Sequence, residues 1–151
     1  MAEQIPIGAD HAGFELKQRL KRELAELGYE PVDVGTHSAD STDYPDYAHT
    51  VADRVARGES KRAVLLCGTG LGMAYAANRH HGVRAAVAWS PEIAKLAREH
   101  NDANILVLPA RFVSEAQGIE ILKTWLNTPF EGGRHARRIA KIDAESESPH
   151  V

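Results

Sequence analysis

Two short segments constrain the fold more than anything else in the chain. Arg62-Ala-Val-Leu-Leu-Cys67 and Asn104-Ile-Leu-Val-Leu108 are apolar almost without a break. A strand with one wet face alternates polar and apolar residues, whereas an unbroken Val/Leu/Ile run suits a strand covered on both faces, as in a parallel sheet. Parallel neighbours need crossovers of a dozen or more residues, and the rest of the chain has room for them. Further strands are expected over Gln4–Ala9, Glu30–Val34 and Arg84–Ala88. Leu16, Leu20, Leu24 and Leu27 recur at helical spacing before Gly28, a suitable C-terminal stop. Val51, Ala52, Val55 and Ala56 repeat the pattern before Gly58. Ser90-Pro91 reads as an N-cap and first-turn proline opening a helix to about His100, and Ser114-Glu-Ala-Gln117 reads as a capping box. Alternating strands and helices predict an α/β fold: a three-layer α/β/α unit with a five-stranded parallel sheet, right-handed crossovers and a C-terminal helix carrying Ile139 and Ile142. Residues 1–151 form one domain, with Glu145–Val151 expected to fray. Pro6 removes one ladder donor from the first strand.

The bulk properties exclude several classes. A net charge of -3 with both signs scattered along the chain argues against a nucleic-acid-binding or membrane-surface protein. No apolar run approaches bilayer length. The single cysteine forms no internal disulfide, the first residues carry no signal sequence, and a reducing cytoplasm is the expected location.

In an open parallel sheet, ligands bind outside the carboxyl ends of the strands. Asp10-His11-Ala-Gly13 follows the first strand, Cys67-Gly-Thr-Gly-Leu-Gly72 follows the third, and Arg111 follows the fifth. The helix before the fifth strand ends in His100-Asn101-Asp102. All of these are expected at one edge of the sheet. A lone cysteine is commonly a small buried hydrophobe. Cys67, however, closes an apolar strand and opens a glycine-rich loop, and a helix starting near Gly70–Leu71 favours its thiolate.

The loop does not match the common phosphate motifs. Met73 stands where a dinucleotide fingerprint needs its third glycine, and no Gly-Lys-Ser/Thr follows. A cysteine phosphatase loop would place an arginine at 73. What remains is a cradle of N–H groups suited to an oxyanion or a phosphate. Arg134 and Arg138, four apart after Gly132-Gly133, share a helix face and suit a phosphate dianion; a solvated basic face is the plainer alternative. No pair of histidines lies at i, i+4 with a partner carboxylate, His80-His81 reads as a solvated turn, and no metal or other cofactor is expected.

Five motifs then carry a resemblance. Gly8-Ala-Asp-His-Ala-Gly13, Thr42-Asp-Tyr-Pro-Asp-Tyr-Ala48, Cys67-Gly-Thr-Gly-Leu-Gly72, Glu99-His-Asn-Asp-Ala-Asn104 and Glu131-Gly-Gly-Arg-His135, in this order from about Ile5 to Ile142, resemble the type B ribose-5-phosphate isomerases. That family also contains isomerases of allose 6-phosphate and galactose 6-phosphate. The resemblance implies a Rossmann-like sheet, a homodimer or dimer of dimers with interface active sites, and aldose–ketose isomerisation through a cis-enediolate. It implies Cys67 as the base, His100 as the ring-opening acid and Thr69 near the reacting oxygens. Asp10, His11, Tyr44 and Asn101 would line the sugar, the amides of Gly68, Gly70, Leu71 and Gly72 would hold the enediolate, and Arg111, Arg134 and Arg138 would hold the phosphate. One branch of the family uses a glutamate at the position of Met73 and lacks the cysteine; this chain resembles the cysteine branch.

Three other readings stay open at this stage: the same chemistry on a six-carbon sugar phosphate, a noncatalytic phosphosugar- or nucleotide-binding module, and an inactive subunit that needs a partner chain. The motifs do not say which subunit supplies the arginines.

Overall fold

The two unbroken apolar runs become the strands β3 (Ala63–Cys67) and β5 (Ile105–Pro109), and every residue of both is buried. They lie side by side in a sheet with β1 (Gln4–Ala9), β2 (Glu30–Gly35) and β4 (Ala85–Val87). The order is β2-β1-β3-β5-β4 and every pairing is parallel. This computed structural model describes residues 1–144, so the expected fraying of 145–151 lies outside the described residues.

Six helices connect and flank the strands: α1 (Phe14–Glu26), α2 (Tyr44–Ala56), α3 (Leu71–Ala77), α4 (Pro91–Asn101), α5 (Glu115–Asn127) and α6 (Arg134–Ala140). Their faces follow from handedness. The chain steps one way across the sheet for β1 to β2 and for β4 to β5, and the other way for β2 to β3 and for β3 to β4. Right-handed crossovers therefore put α1 and α4 on one face, and α2 and α3 on the other. Two hydrophobic clusters match this division. Leu20, Leu24, Ala94 and, from α5, Trp125 pack with Val64 and Leu66. Val51, Ala52, Met73 and Ala77 pack with Leu65 and Val107 on the opposite face. Adjacent residues of β3 thus feed opposite cores, which is why its sequence cannot alternate.

The helix signals read from the sequence hold. Ser90 Oγ accepts from the Ile93 amide at 3.3 Å, Ser114 and Gln117 make both bonds of a capping box, and Gly28 follows α1 at a φ of 93°. β4 is shorter than the expected Arg84–Ala88. It is an edge strand, and the Asn78 side chain takes its free side, accepting from the Ala85 amide at 2.8 Å and donating to the Ala85 carbonyl at 3.0 Å. A side chain that occupies the ladder in this way blunts the edge. Ile142 lies beyond α6, in a turn, and is 56% exposed; α6 packs on α4 and offers it no core. Pro6 is tolerated inside β1, whose ladder with β3 begins one residue later, at Ile7.

Arg62 ties the amino end of the chain to the end of α5. It donates to both Glu3 carboxylate oxygens, at 3.0 and 2.8 Å, and to the Leu126 carbonyl at 2.9 Å. Those hydrogen bonds hold the Glu3 carboxyl below its ordinary value of 4.5, against the opposing push of partial burial. A carboxyl with a depressed folded-state value adds stability above its unfolded value, and that stability is lost as pH falls through the folded one. Glu3→Gln is therefore expected to lower the melting temperature at about pH 7 and to narrow its gap to the parent chain at about pH 3. Melts at the two pH values check this, and a gap that widens in acid contradicts it.

Candidate active site

The strand order reverses at β1 and β3, and the loops after these strands meet there. The Asp10 amide donates to the Leu66 carbonyl at 3.2 Å, locking the end of β1 to that of β3. The buried Asp10 carboxylate accepts from the amides of Ala12 and Gly13 at 3.0 and 3.3 Å, shaping the turn His11–Gly13. That turn lies directly on β3: a Cβ at Gly13 would sit 2.7 Å from the Leu66 Cβ. His11 Nδ1 accepts from the Thr42 amide at 3.2 Å, so the neutral ring carries its proton on Nε2.

Cys67 is the last residue of β3 and is 5% exposed. Its carbonyl accepts from the Ala110 amide at 2.8 Å, and that of Gly68 accepts from the Arg111 amide at 3.0 Å. The turn after β5 is thereby stitched to the glycine loop. The Arg111 guanidinium crosses Gly68, where an added Cβ would lie 3.2 Å from Nη1. Gly70 caps α3 at a φ of 79°, a conformation that strains any residue with a Cβ. The Tyr44 ring closes on the first turn of α3, since a Cβ at Gly72 would fall 2.5 Å from it.

Thr69 is exposed, and its Oγ1 accepts from the Leu71 amide at 3.2 Å. That amide thus has an acceptor inside the loop. The amides of Gly72 and Met73, also in the first turn, have no acceptor within the helix. The Met73 side chain is fully buried in the core.

Asp10, His11, Tyr44, the loop 67–72 and Arg111 therefore form one group at the carboxyl edge of the sheet. His100 and Asn101 do not join it, contrary to the expectation that they share this edge, and neither do Arg134 and Arg138 on α6, which packs on α4. The reason is connectivity. A helix that carries the chain from the carboxyl end of β4 to the amino end of β5 must finish at the amino edge. Arg84, just before β4, accordingly donates to the carbonyls of Asn101 and Asp102 at 3.1 and 2.9 Å. The two groups stand apart by the length of β5, five residues or about 17 Å.

The second group also contains residues that the sequence reading passed over. The Glu131 amide donates to the Glu99 carbonyl at 3.1 Å, holding the segment before α6 against α4. The His135 ring, almost buried, stacks on that of His100 with centroids 4.4 Å apart and planes 16° from parallel. Glu131 Oε1 lies 3.4 Å from His135 Nε2 and 3.8 Å from His100 Nε2. The i, i+4 spacing of Glu131 and His135 was visible, but their pairing with α4 is a product of tertiary structure.

Large apolar side chains stand exposed beside the first group. Leu71 is 48%, Trp89 59% and Phe112 72% exposed, in the segments following β3, β4 and β5, and Tyr75 on α3 is 61% exposed. Among the described residues, no helix is long and apolar enough to cross a membrane.

A family model described as Ribose/Galactose Isomerase matches residues 5–142, and the chain belongs to that family. Its similarity is strong to members named as ribose-5-phosphate isomerases. Ribose-5-phosphate isomerase B of Escherichia coli K12 is 45% identical over 141 residues, covering 93% of this chain and 95% of that protein. The crystal structure of a ribose 5-phosphate isomerase from Thermotoga maritima superposes with a TM-score of 0.91 at 52% identity, over 95% of this chain and 99% of that one. Ribose-5-phosphate isomerase B from Mycoplasma genitalium, solved with bound ribulose-5-phosphate, gives a TM-score of 0.90 at 42% identity, over 94% and 95% of the two chains.

Proposed function

We propose that the chain interconverts ribose 5-phosphate and ribulose 5-phosphate, in an active site assembled from two copies. The observation that carries this is the placement of Cys67. Its thiol closes a central strand at the switch point, beneath a glycine loop, with Asp10-His11 on one side and Arg111 on the other.

The reaction moves hydrogen within one molecule. The Cys67 thiolate takes the proton from C2 of the open-chain aldose, leaving a cis-enediolate. Thr69 passes a proton between O1 and O2, and the Cys67 thiol returns its proton to C1. No electron leaves the substrate, so the reading calls for no redox cofactor. The enediolate must be stabilised where it forms, and oriented amides each contribute about 3–4 kcal/mol in a site closed to water. The amides of Gly68, Gly70 and Gly72 fill this role, with Asp10, His11 and Tyr44 along the sugar.

Ring opening needs an acid, and the chain's own His100 lies at the wrong edge of the sheet. A two-fold axis across the strands sets the carboxyl edge of one copy against the amino edge of the other, and generates two identical sites. His100 and Asn101 then reach a sugar held on the Cys67 loop of a second copy. Arg134 and Arg138, from that same copy, meet the phosphate together with Arg111. The exposed Leu71, Tyr75, Trp89 and Phe112 form the apolar surface such a contact needs. A cytoplasmic location suits a thiol that must stay reduced.

The test is an isomerase assay on purified chain with ribose 5-phosphate, with and without a chelator. Turnover within about 1–1,000 per second, unchanged by the chelator, is expected. Absence of turnover, or its loss on chelation, overturns the reading.

A further inference from the structure

His100, Glu131 and His135 are arranged more tightly than ring opening requires. They are the only group of three or more His, Cys, Asp or Glu residues among the described residues whose ligand atoms all lie within 4.8 Å of one another. The two stacked rings turn their Nε2 atoms toward the same carboxylate oxygen, at 3.8 and 3.4 Å. Ligand atoms bonded at about 2.0–2.1 Å to a tetrahedral ion stand roughly 3.3 Å apart, and imidazole lone pairs lie in the ring plane, so an ion would draw the three atoms together and tilt the two rings out of their near-parallel stack. The backbone is already braced for it: Glu131 is tied to Glu99, and His135 is held nearly buried in the first turn of α6.

We propose that His100, Glu131 and His135 bind one divalent transition-metal ion of the zinc type, and that the bound ion inhibits the isomerase. Two imidazoles and one carboxylate match Zn2+ and leave a position for water. Mg2+ and Ca2+ prefer oxygen ligands, of which this trio offers one carboxylate. Zinc on Nε2 ties up a ring nitrogen of His100 and fixes the imidazole on the ion, so the ion and ring opening exclude each other. The inhibitory half of this proposal rests on the proposed role of His100; the binding half rests on geometry alone.

The test titrates the full chain with zinc sulfate and reads binding by competition with a chromophoric chelator, alongside isomerase rates. One Zn2+ per chain is expected, with no comparable binding of Mg2+. Cys67→Ser should bind as the parent does, because the thiol is not a ligand. Glu131→Gln and His135→Asn should each weaken binding at least about tenfold. Each should also need correspondingly more zinc for half-inhibition of its own metal-free rate. Glu131 is exposed, so its variant guards against a folding defect at the buried His135. Zinc binding that disappears in Cys67→Ser but survives in both other variants overturns the proposal, as does the absence of saturable binding. A chain without isomerase activity that still binds zinc at this trio would sink the proposed function and leave the metal site standing.

Discussion

Cys67→Ala is expected to reduce isomerisation of ribose 5-phosphate by at least about 10,000-fold while the protein stays folded. The two halves of this expectation have separate origins. Cys67 is 5% exposed in a cluster with Leu65, Met73 and Val107, so losing its sulfur leaves a small gap that costs about 1 kcal/mol. The chemistry has no substitute base, because Met73 is apolar and fully buried where one branch of the family is expected to place a glutamate. Circular dichroism and a melting curve should resemble the parent's, and the rate should fall to background. A variant retaining near-parental turnover would take the proton-abstracting role away from Cys67.

Mixing two dead variants should restore activity. Cys67→Ala and His100→Asn chains, each inactive or severely impaired alone, can pair after mild dissociation and reassociation. In a mixed dimer one site combines the intact Cys67 of one chain with the intact His100 of the other, while the second site carries both defects. Random pairing makes half of the dimers mixed, so about one quarter of the sites recover. A recovered rate near a quarter of the parental one would fit only a site shared between chains. Recovery no greater than the sum of the separate variants would place the whole reaction within one chain, in conflict with the strand-length separation of the two groups.

How much of this could be read in advance differs from residue to residue. β3 and β5 were legible because double coverage leaves no polar positions, and α4 and α5 because Ser90 and Ser114 make local caps that need no tertiary partner. β4 is one residue shorter at each end than the apolar run suggests, although Arg84 and Ala88 still bond to β5, and its partner on the free side, Asn78, could not be read because it comes from another element. The members of the site were legible by motif. Their grouping was not, although the connectivity already implied it: His100 closes a return helix and could not end beside Cys67. Glu131 and His135 stood in a motif, but their pairing with His100 was not legible because it lies more than thirty positions away in the chain. The close fit of Tyr44 over Gly72 was equally hidden, since it depends on how α2 packs against α3.

The return helix has one more consequence. α4 has eleven residues and a length of about 16 Å, and in the proposed dimer that length sets how far His100 reaches toward the second copy. Adding or removing a single turn would shift that imidazole by about 5 Å without altering any residue that touches the sugar. In this architecture helix length acts as a gauge, and tolerance to insertion should be lower in α4 than in the surface loops.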